Sequence, residues 1–241
     1  MKLSHTLLVL GGRSELARAV VPLLQGGDQN YVVTRALQSE DRVKYLSKNF
    51  EIIDQTDSTP LFEDVNFALR QLPKRSDLDV LSVVSFSGST DGRLLIDMTL
   101  AGVEQAITAN FTFNAVWAIA LIKRYMGKKV RFVFISSSPA LRNMTGPGST
   151  FYASSKHALR GLVAGISSEY GKFGVTANTM ALGLTGIGMG RDLNRHDFER
   201  IASRTSTGKL VTADQVANAI DFLLCNDACV GAELTLDSGL S

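Results

Sequence analysis

The sequence predicts a doubly wound α/β fold, a parallel sheet of about seven strands with helices on both faces, in one domain over residues 1–241. Three observations carry this expectation. Short apolar, β-branched runs alternate with longer segments of helical period along the whole chain. Most of those runs lack apolar/polar alternation, as strands covered on both faces do. No internal repeat, low-complexity tract or Pro/Gly/Ser-rich linker divides the chain.

Taken in order, the candidate strands are 6–10, 31–34, 50–53, 80–84, 130–135, 175–180 and 233–236. The candidate helices between them cover about 14–25, 39–48, 59–72, 99–126, 150–172 and 213–225. In such sheets ligands bind beyond the carboxyl ends of the strands, near the point where strand order reverses, so the residues just after each strand are the candidates for chemistry.

Composition narrows the function. Lys and Arg number 25 against 23 Asp and Glu, scattered rather than striped, which argues against a nucleic-acid or membrane-surface partner and for a small, mostly uncharged substrate. Cys225 and Cys229 have no second pair, and His5, His157 and His196 are dispersed, so no metal site is expected and the thiols read as free. The N-terminal apolar run is interrupted by Gly11, Gly12, Arg13 and Glu15 too early for a signal peptide. No run reaches the roughly 18 apolar residues of a membrane span, and the expected location is the cytoplasm.

The first strand passes through Gly11-Gly12-Arg13-Ser14-Glu15-Leu16-Ala17 straight into a helix. Glycine there permits a tight turn and close approach to a phosphate, so Gly11, Arg13, Ser14 and Leu16 are candidate cofactor contacts. The second strand ends Val33-Thr34-Arg35. A small neutral residue followed by Arg leaves room and charge for the 2′-phosphate of NADP, which points to NADPH, although Arg35 also reads as a solvated loop charge. Arg13 adds a second cation. After the third strand, Asp54 either accepts from the adenine amino group or begins the next turn.

Tyr152-Ala153-Ser154-Ser155-Lys156 opens a long apolar-periodic helix, where residues four apart share a face. A lysine cation beside a phenol stabilises the phenolate and turns a poor acid into a usable one. Upstream, the strand 130–135 runs into Ser136-Ser137-Ser138, one of whose hydroxyls could meet a substrate oxygen beside Tyr152.

With these motifs in this order, the chain resembles the short-chain dehydrogenase/reductase family along essentially its whole length, most closely the 3-oxoacyl-carrier-protein reductase branch. Tyr152 and Lys156 match the Tyr-x-x-x-Lys pair, Ile135-Ser136-Ser137 the Ile-x-Ser strand end, and Asn110 the helical Asn of a water-linked proton relay. Asn178 through Gly183, then Gly208-Lys209-Leu210 and Asp237-Ser238-Gly239, match later motifs. The resemblance implies a Rossmann-type sheet and an NADPH-dependent ketone reductase with Asn110, Ser137, Tyr152 and Lys156 as its catalytic set. Gly88, Gly183, Thr185 and Ile187, with Tyr152 and Lys156, then serve the cofactor.

The departures are specific. Glu15 and Ala17 replace turn glycines, Ser85-Phe86-Ser87-Gly88 replaces Asn-Asn-Ala-Gly, and Leu182 replaces a Pro. The nicotinamide-binding Thr falls on Ile187 with Thr185 nearby, and Ser138 rivals Ser137. The implied substrate is a small-molecule or acyl-thioester carbonyl, under a lid drawn from 184–207. Lys128, Lys129, Arg131 and Lys172 either meet an acyl carrier protein or are solvated. A homodimer or homotetramer is implied, built through Phe111, Phe113, Val116, Trp117, Leu159, Leu162 and Val163. The competing readings are an enoyl reductase and a nucleotide-binding sensor or scaffold without turnover.

Overall fold

The computed structural model describes residues 3–35, 38–55, 61–141, 146–187 and 195–240. Seven strands form one parallel sheet: β1 (His5–Leu10), β2 (Gln29–Arg35), β3 (Phe50–Gln55), β4 (Val80–Ser85), β5 (Lys129–Ser137), β6 (Val175–Leu182) and β7 (Glu233–Leu236). Their spatial order is β3-β2-β1-β4-β5-β6-β7, so the order reverses between β1 and β4. That is where a crevice opens in a doubly wound sheet.

Both faces of the sheet are covered, which is why the strands read as unbroken apolar runs. In β1, Leu8 and Leu10 point into one core with α3 (Leu61–Gln71), α5 (Phe113–Tyr125) and α7 (Thr150–Tyr170). Leu7 and Val9 point into the other, with α1 (Glu15–Val20), α2 (Ser39–Leu46) and α9 (Ala213–Cys225). All four are fully buried, each worth about 2 kcal/mol in apolar transfer. The helix α9 is started by a capping box, Thr212 accepting from the Gln215 N–H while Gln215 accepts from the Thr212 N–H.

Two candidate helices differ from expectation. The first ends at Val20 and continues only as a tight turn over Val21–Leu23, because Pro22 brings no N–H to an α-helical bond. The stretch 99–126 divides into α4 (Leu100–Ile107), one π-helical turn over Thr108–Thr112, and α5. By length and hydropathy Leu100–Tyr125 would pass as a membrane span, but Trp117, Leu121 and Tyr125 are wholly buried against the sheet, as in a core helix. Two further helices are short, α6 (Ser138–Leu141) and α8 (Arg195–Ala202).

Candidate active site

Two clefts lie at the carboxyl ends of the strands on either side of the β1/β4 crossover. The smaller, about 380 Å³, gathers Ser137, Tyr152, Lys156, Gly88, Gly183 and Thr185, and also takes in Ser14, Leu16 and Ile187. The larger, about 620 Å³, holds Gly11, Arg13 and Thr34. The expected cofactor residues thus separate into two groups that one extended ligand could span.

In the smaller cleft, β5 delivers Ser137 and the first two turns of α7 deliver Tyr152 and Lys156. Burial pushes the Tyr152 phenol above its usual range, while a hydrogen bond with Ser137 pulls it down. This contact favours Ser137 among the serines. Ser138 is buried at the start of α6, its hydroxyl without a partner among the described residues, and only Ser137 of the two lines the cleft with Tyr152. Lys156 is itself buried, and desolvation lowers it to about 8. Its ammonium donates to the carbonyls of Ile135 at 2.9 Å and Ser87 at 3.4 Å and lies 5.7 Å from the Tyr152 ring centroid. Burial is the largest influence on each of these two groups.

Asn110 is fully buried in the π-helical turn, a wide turn of the kind that marks functional sites. Its side chain is committed to Ser89 and to the Ala106 carbonyl, and its own carbonyl accepts from Asn114 Nδ2 at 2.9 Å. Gly88 sits between it and Lys156, where a Cβ would fall 2.8 Å from Asn110 Oδ1 and 3.0 Å from Lys156 Nζ. The departure Ser85-Phe86-Ser87-Gly88 keeps its support by other means, since Ser87 Oγ donates to the Ala109 carbonyl at 2.9 Å. Gly183 is required by packing, because a Cβ there would lie 2.6 Å from Asp237 Cα. Thr185 Oγ1 donates to the Ile187 carbonyl at 2.8 Å, so both nicotinamide-contact candidates lie on one turn. Of the expected lid, residues 188–194 lie outside the described residues.

In the larger cleft, Gly11 has φ +78°, and a Cβ would meet Ser87 N at 2.9 Å. Two buried polar atoms there have no partner among the described residues, Thr34 Oγ1 and Gln55 Nε2. Buried polar groups are normally paired, so these orphans suit a polar ligand. Glu15 pairs with Arg18 at 3.6 Å, and Arg18 also pairs with Asp41, so the carboxylate that could repel a phosphate is held on the helix surface. Asp54, weighed as adenine acceptor or turn former, does not line this cleft. Strand alternation turns it toward α2, where it is half-exposed and ion-paired with Arg42, and Gln55 lines the cleft instead. The Arg35 side chain lies outside the described residues, as do Thr56 and Asp57.

The basic residues weighed for a carrier protein stand at the wrong end of the sheet. Lys129 and Arg131 begin β5, whose far end carries Ser137, and both pair with Asp227. Lys128 pairs with Asp79, and Lys172 follows the last turn of α7. Among the described residues, no group of three or more His, Cys, Asp or Glu could hold a metal.

A family model described as Enoyl-(Acyl carrier protein) reductase matches residues 15–241. The chain belongs to the short-chain dehydrogenase/reductase family. It is similar to the 3-oxoacyl-[acyl-carrier-protein] reductase FabG of Rickettsia prowazekii, with 26% identity over 98% of this chain and 96% of the relative. In fold it is similar to a short-chain dehydrogenase/reductase from Serratia marcescens, at TM-score 0.80 and 20% identity over 98% and 97% of the two chains. The NADPH complex of a single-substitution variant of actinorhodin polyketide ketoreductase gives TM-score 0.81 at 20% identity, over 98% and 97% of the two chains. Membership makes this chain an oxidoreductase of CH–OH/C=O groups with a nicotinamide cofactor.

Proposed function

We propose that the protein is an NADPH-dependent ketoreductase that converts the carbonyl of a small molecule or acyl thioester to a secondary alcohol. The single observation that carries this reading is that Ser137, Tyr152 and Lys156 all face one cleft, with the Lys156 ammonium 5.7 Å from the Tyr152 ring centroid. Burial keeps the phenol protonated at neutral pH, the state needed to give a proton to a carbonyl oxygen. Ser137 shares the same oxygen through its hydroxyl. Lys156 holds a buried positive charge next to the phenol, where it offsets charge left on oxygen after proton transfer and reaches for a ribose hydroxyl. The nicotinamide, when bound, supplies the hydride.

NADPH is preferred over NADH in this reading because the end of β2 offers Thr34 and no carboxylate, with Arg13 lining the same cleft. The name of the matching family model raises an enoyl reductase, but the four-residue interval between Tyr152 and Lys156 favours the carbonyl chemistry. A carrier-bound substrate would have to dock at the strand ends rather than on the Lys128–Arg131 region. Assembly as a homodimer or homotetramer belongs to the same proposal, although Val116, Trp117, Leu159 and Val163 are spent in the core. The surface left for a second copy is a groove of about 350 Å³ between α5 and α7, around Ile119, Met126, Gly161 and Gly165.

The deciding experiment follows NADPH oxidation with β-ketoacyl thioesters, quinones, simple ketones and enoyl thioesters. Turnover on carbonyls is expected. Turnover confined to enoyl thioesters, or tight NADPH binding with no turnover on any of them, would overturn the proposal.

A further inference from the structure

The π-helical turn gives up one backbone bond at the Ala109 carbonyl. In an α-helix the Phe113 N–H would donate to that carbonyl, four residues back, but here it reaches one residue further, to the carbonyl of Thr108. The Ala109 carbonyl is taken instead by a side chain from another element, Ser87 Oγ donating at 2.9 Å. The next carbonyl, that of Asn110, also accepts from a side chain, Asn114 Nδ2, at 2.9 Å. Backbone carbonyls inside a fold are normally paired, so a turn of this shape persists where side chains supply the donors.

Ser87 lies in the segment after β4 where this chain departs from Asn-Asn-Ala-Gly, so the hydroxyl belongs to this sequence and not to the family pattern. Its other polar groups are engaged as well: its carbonyl accepts from Lys156 Nζ at 3.4 Å, and its N–H donates to Ser85 Oγ at 3.4 Å. It also lines both clefts. We infer that Ser87 is a positioning residue of the active site, its hydroxyl holding the π-helical turn so that Asn110, and through the Ser87 carbonyl the Lys156 ammonium, keep their places. This rests on the ketoreductase reading above and adds a residue to it. A serine hydroxyl has one proton to donate, and here it goes to Ala109, so Ser87 acts through the turn rather than as a donor to a ligand.

The test uses the full chain and the carbonyl substrate it reduces fastest, in a double-mutant cycle of Ser87→Ala with Asn110→Ala, and amide hydrogen exchange of the ligand-free proteins is measured alongside. Ser87→Ala should lower kcat at saturating NADPH by roughly three- to tenfold, the worth of one net hydrogen bond, and speed exchange over residues 106–114 relative to the rest of α5 by a similar factor. Ser87→Thr keeps the hydroxyl and should restore both. Because Ser87 acts through Asn110, adding Ser87→Ala to Asn110→Ala should cost almost nothing further in kcat. Losses that simply multiply would mark a merely structural serine and overturn the inference. So would unchanged exchange in Ser87→Ala, or a Ser87→Thr variant no better than Ser87→Ala. Exchange needs no substrate, so a wild type that reduces no carbonyl would refute the ketoreductase reading and still leave exchange to decide whether Ser87 holds the turn.

Discussion

Asn110 clasps Ser89 from both sides, donating from Nδ2 to its carbonyl at 2.8 Å and accepting at Oδ1 from its N–H at 3.2 Å. The clasp fastens the π-helical turn to the loop after β4. Ser87 adds a bond to Ala109 from the same loop, and Lys156 adds another from α7 to the Ser87 carbonyl. Three elements thus meet at one short segment, and the position of the Lys156 ammonium is tied to that of Asn110. Asn110 positions the site in this arrangement through its side chain.

Gly88 tests that coupling. A methyl group at this position meets Asn110 Oδ1 and Lys156 Nζ together, and neither can retreat without giving up its bonds. Gly88→Ala should lower stability by about 1–3 kcal/mol in denaturant unfolding, as overpacking does, and reduce turnover with it. Wild-type turnover and stability in this variant would show that the segment yields freely.

Thr34→Asp tests the choice of cofactor. It places a carboxylate at a buried position in the larger cleft whose hydroxyl has no partner among the described residues, where it would repel a 2′-phosphate but accept from the hydroxyls of an unphosphorylated ribose. The expected result is NADPH affinity reduced by an order of magnitude or more and a ratio shifted toward NADH. A wild-type protein that already prefers NADH would refute the assignment.

The sheet was legible because its strands are buried on both faces: Leu7 to Leu10 and the fully buried β4 left no polar interruption to confuse the period. Tyr152, Lys156 and Ser137 were legible because short, local spacings place them. The pairing of Asp54 with Arg42 was not, because it depends on a residue of another element, although the strand's alternation offered the signal that neighbours face apart. The far-end placement of Lys129 and Arg131 was also available, since a cation at the start of a strand cannot serve a site at its end. The π-helical turn left no trace in the hydrophobic period, which runs on through Phe111 and Phe113.

Lys156 gives the site a pH signature. Its value in the folded protein is about 8 against 10.5 for an ordinary lysine, so between those values the unfolded chain binds more protons. The contribution of this group therefore makes the ligand-free protein more stable as pH rises from about 8, and the penalty is fully present below it. Lys156→Met should remove that rise between about pH 8 and 9.5, read from unfolding midpoints. NADPH affinity in the wild type should fall over the same interval as the ammonium is lost; identical profiles for the two proteins would disprove the link.

Assembly is tested at Gly161, where an added Cβ meets nothing within 4 Å in the groove between α5 and α7. The wild type should sediment as a dimer or tetramer at micromolar concentration, and Gly161→Arg should shift it toward monomer without unfolding it. A monomeric wild type would leave the groove as ordinary surface.

The chemical step is tested by separating the phenol from the ammonium. Tyr152→Phe removes only the hydroxyl that Ser137 contacts and leaves the larger cleft untouched, so NADPH binding should stay nearly intact while reduction is abolished. Loss of a general acid costs about 10²–10⁴-fold in rate, and more where no water can replace it. Lys156→Ala acts differently, because its ammonium is bonded to Ile135 and Ser87 and faces the same cleft as the phenol. Removing it should damage turnover and cofactor affinity together. Steady-state rates and NADPH dissociation constants for the two variants read the roles apart. If Tyr152→Phe kept more than about a tenth of wild-type activity, the lost transition-state stabilisation would be no more than about 1.4 kcal/mol, too small for the sole proton donor, and the proton would have to come from another group.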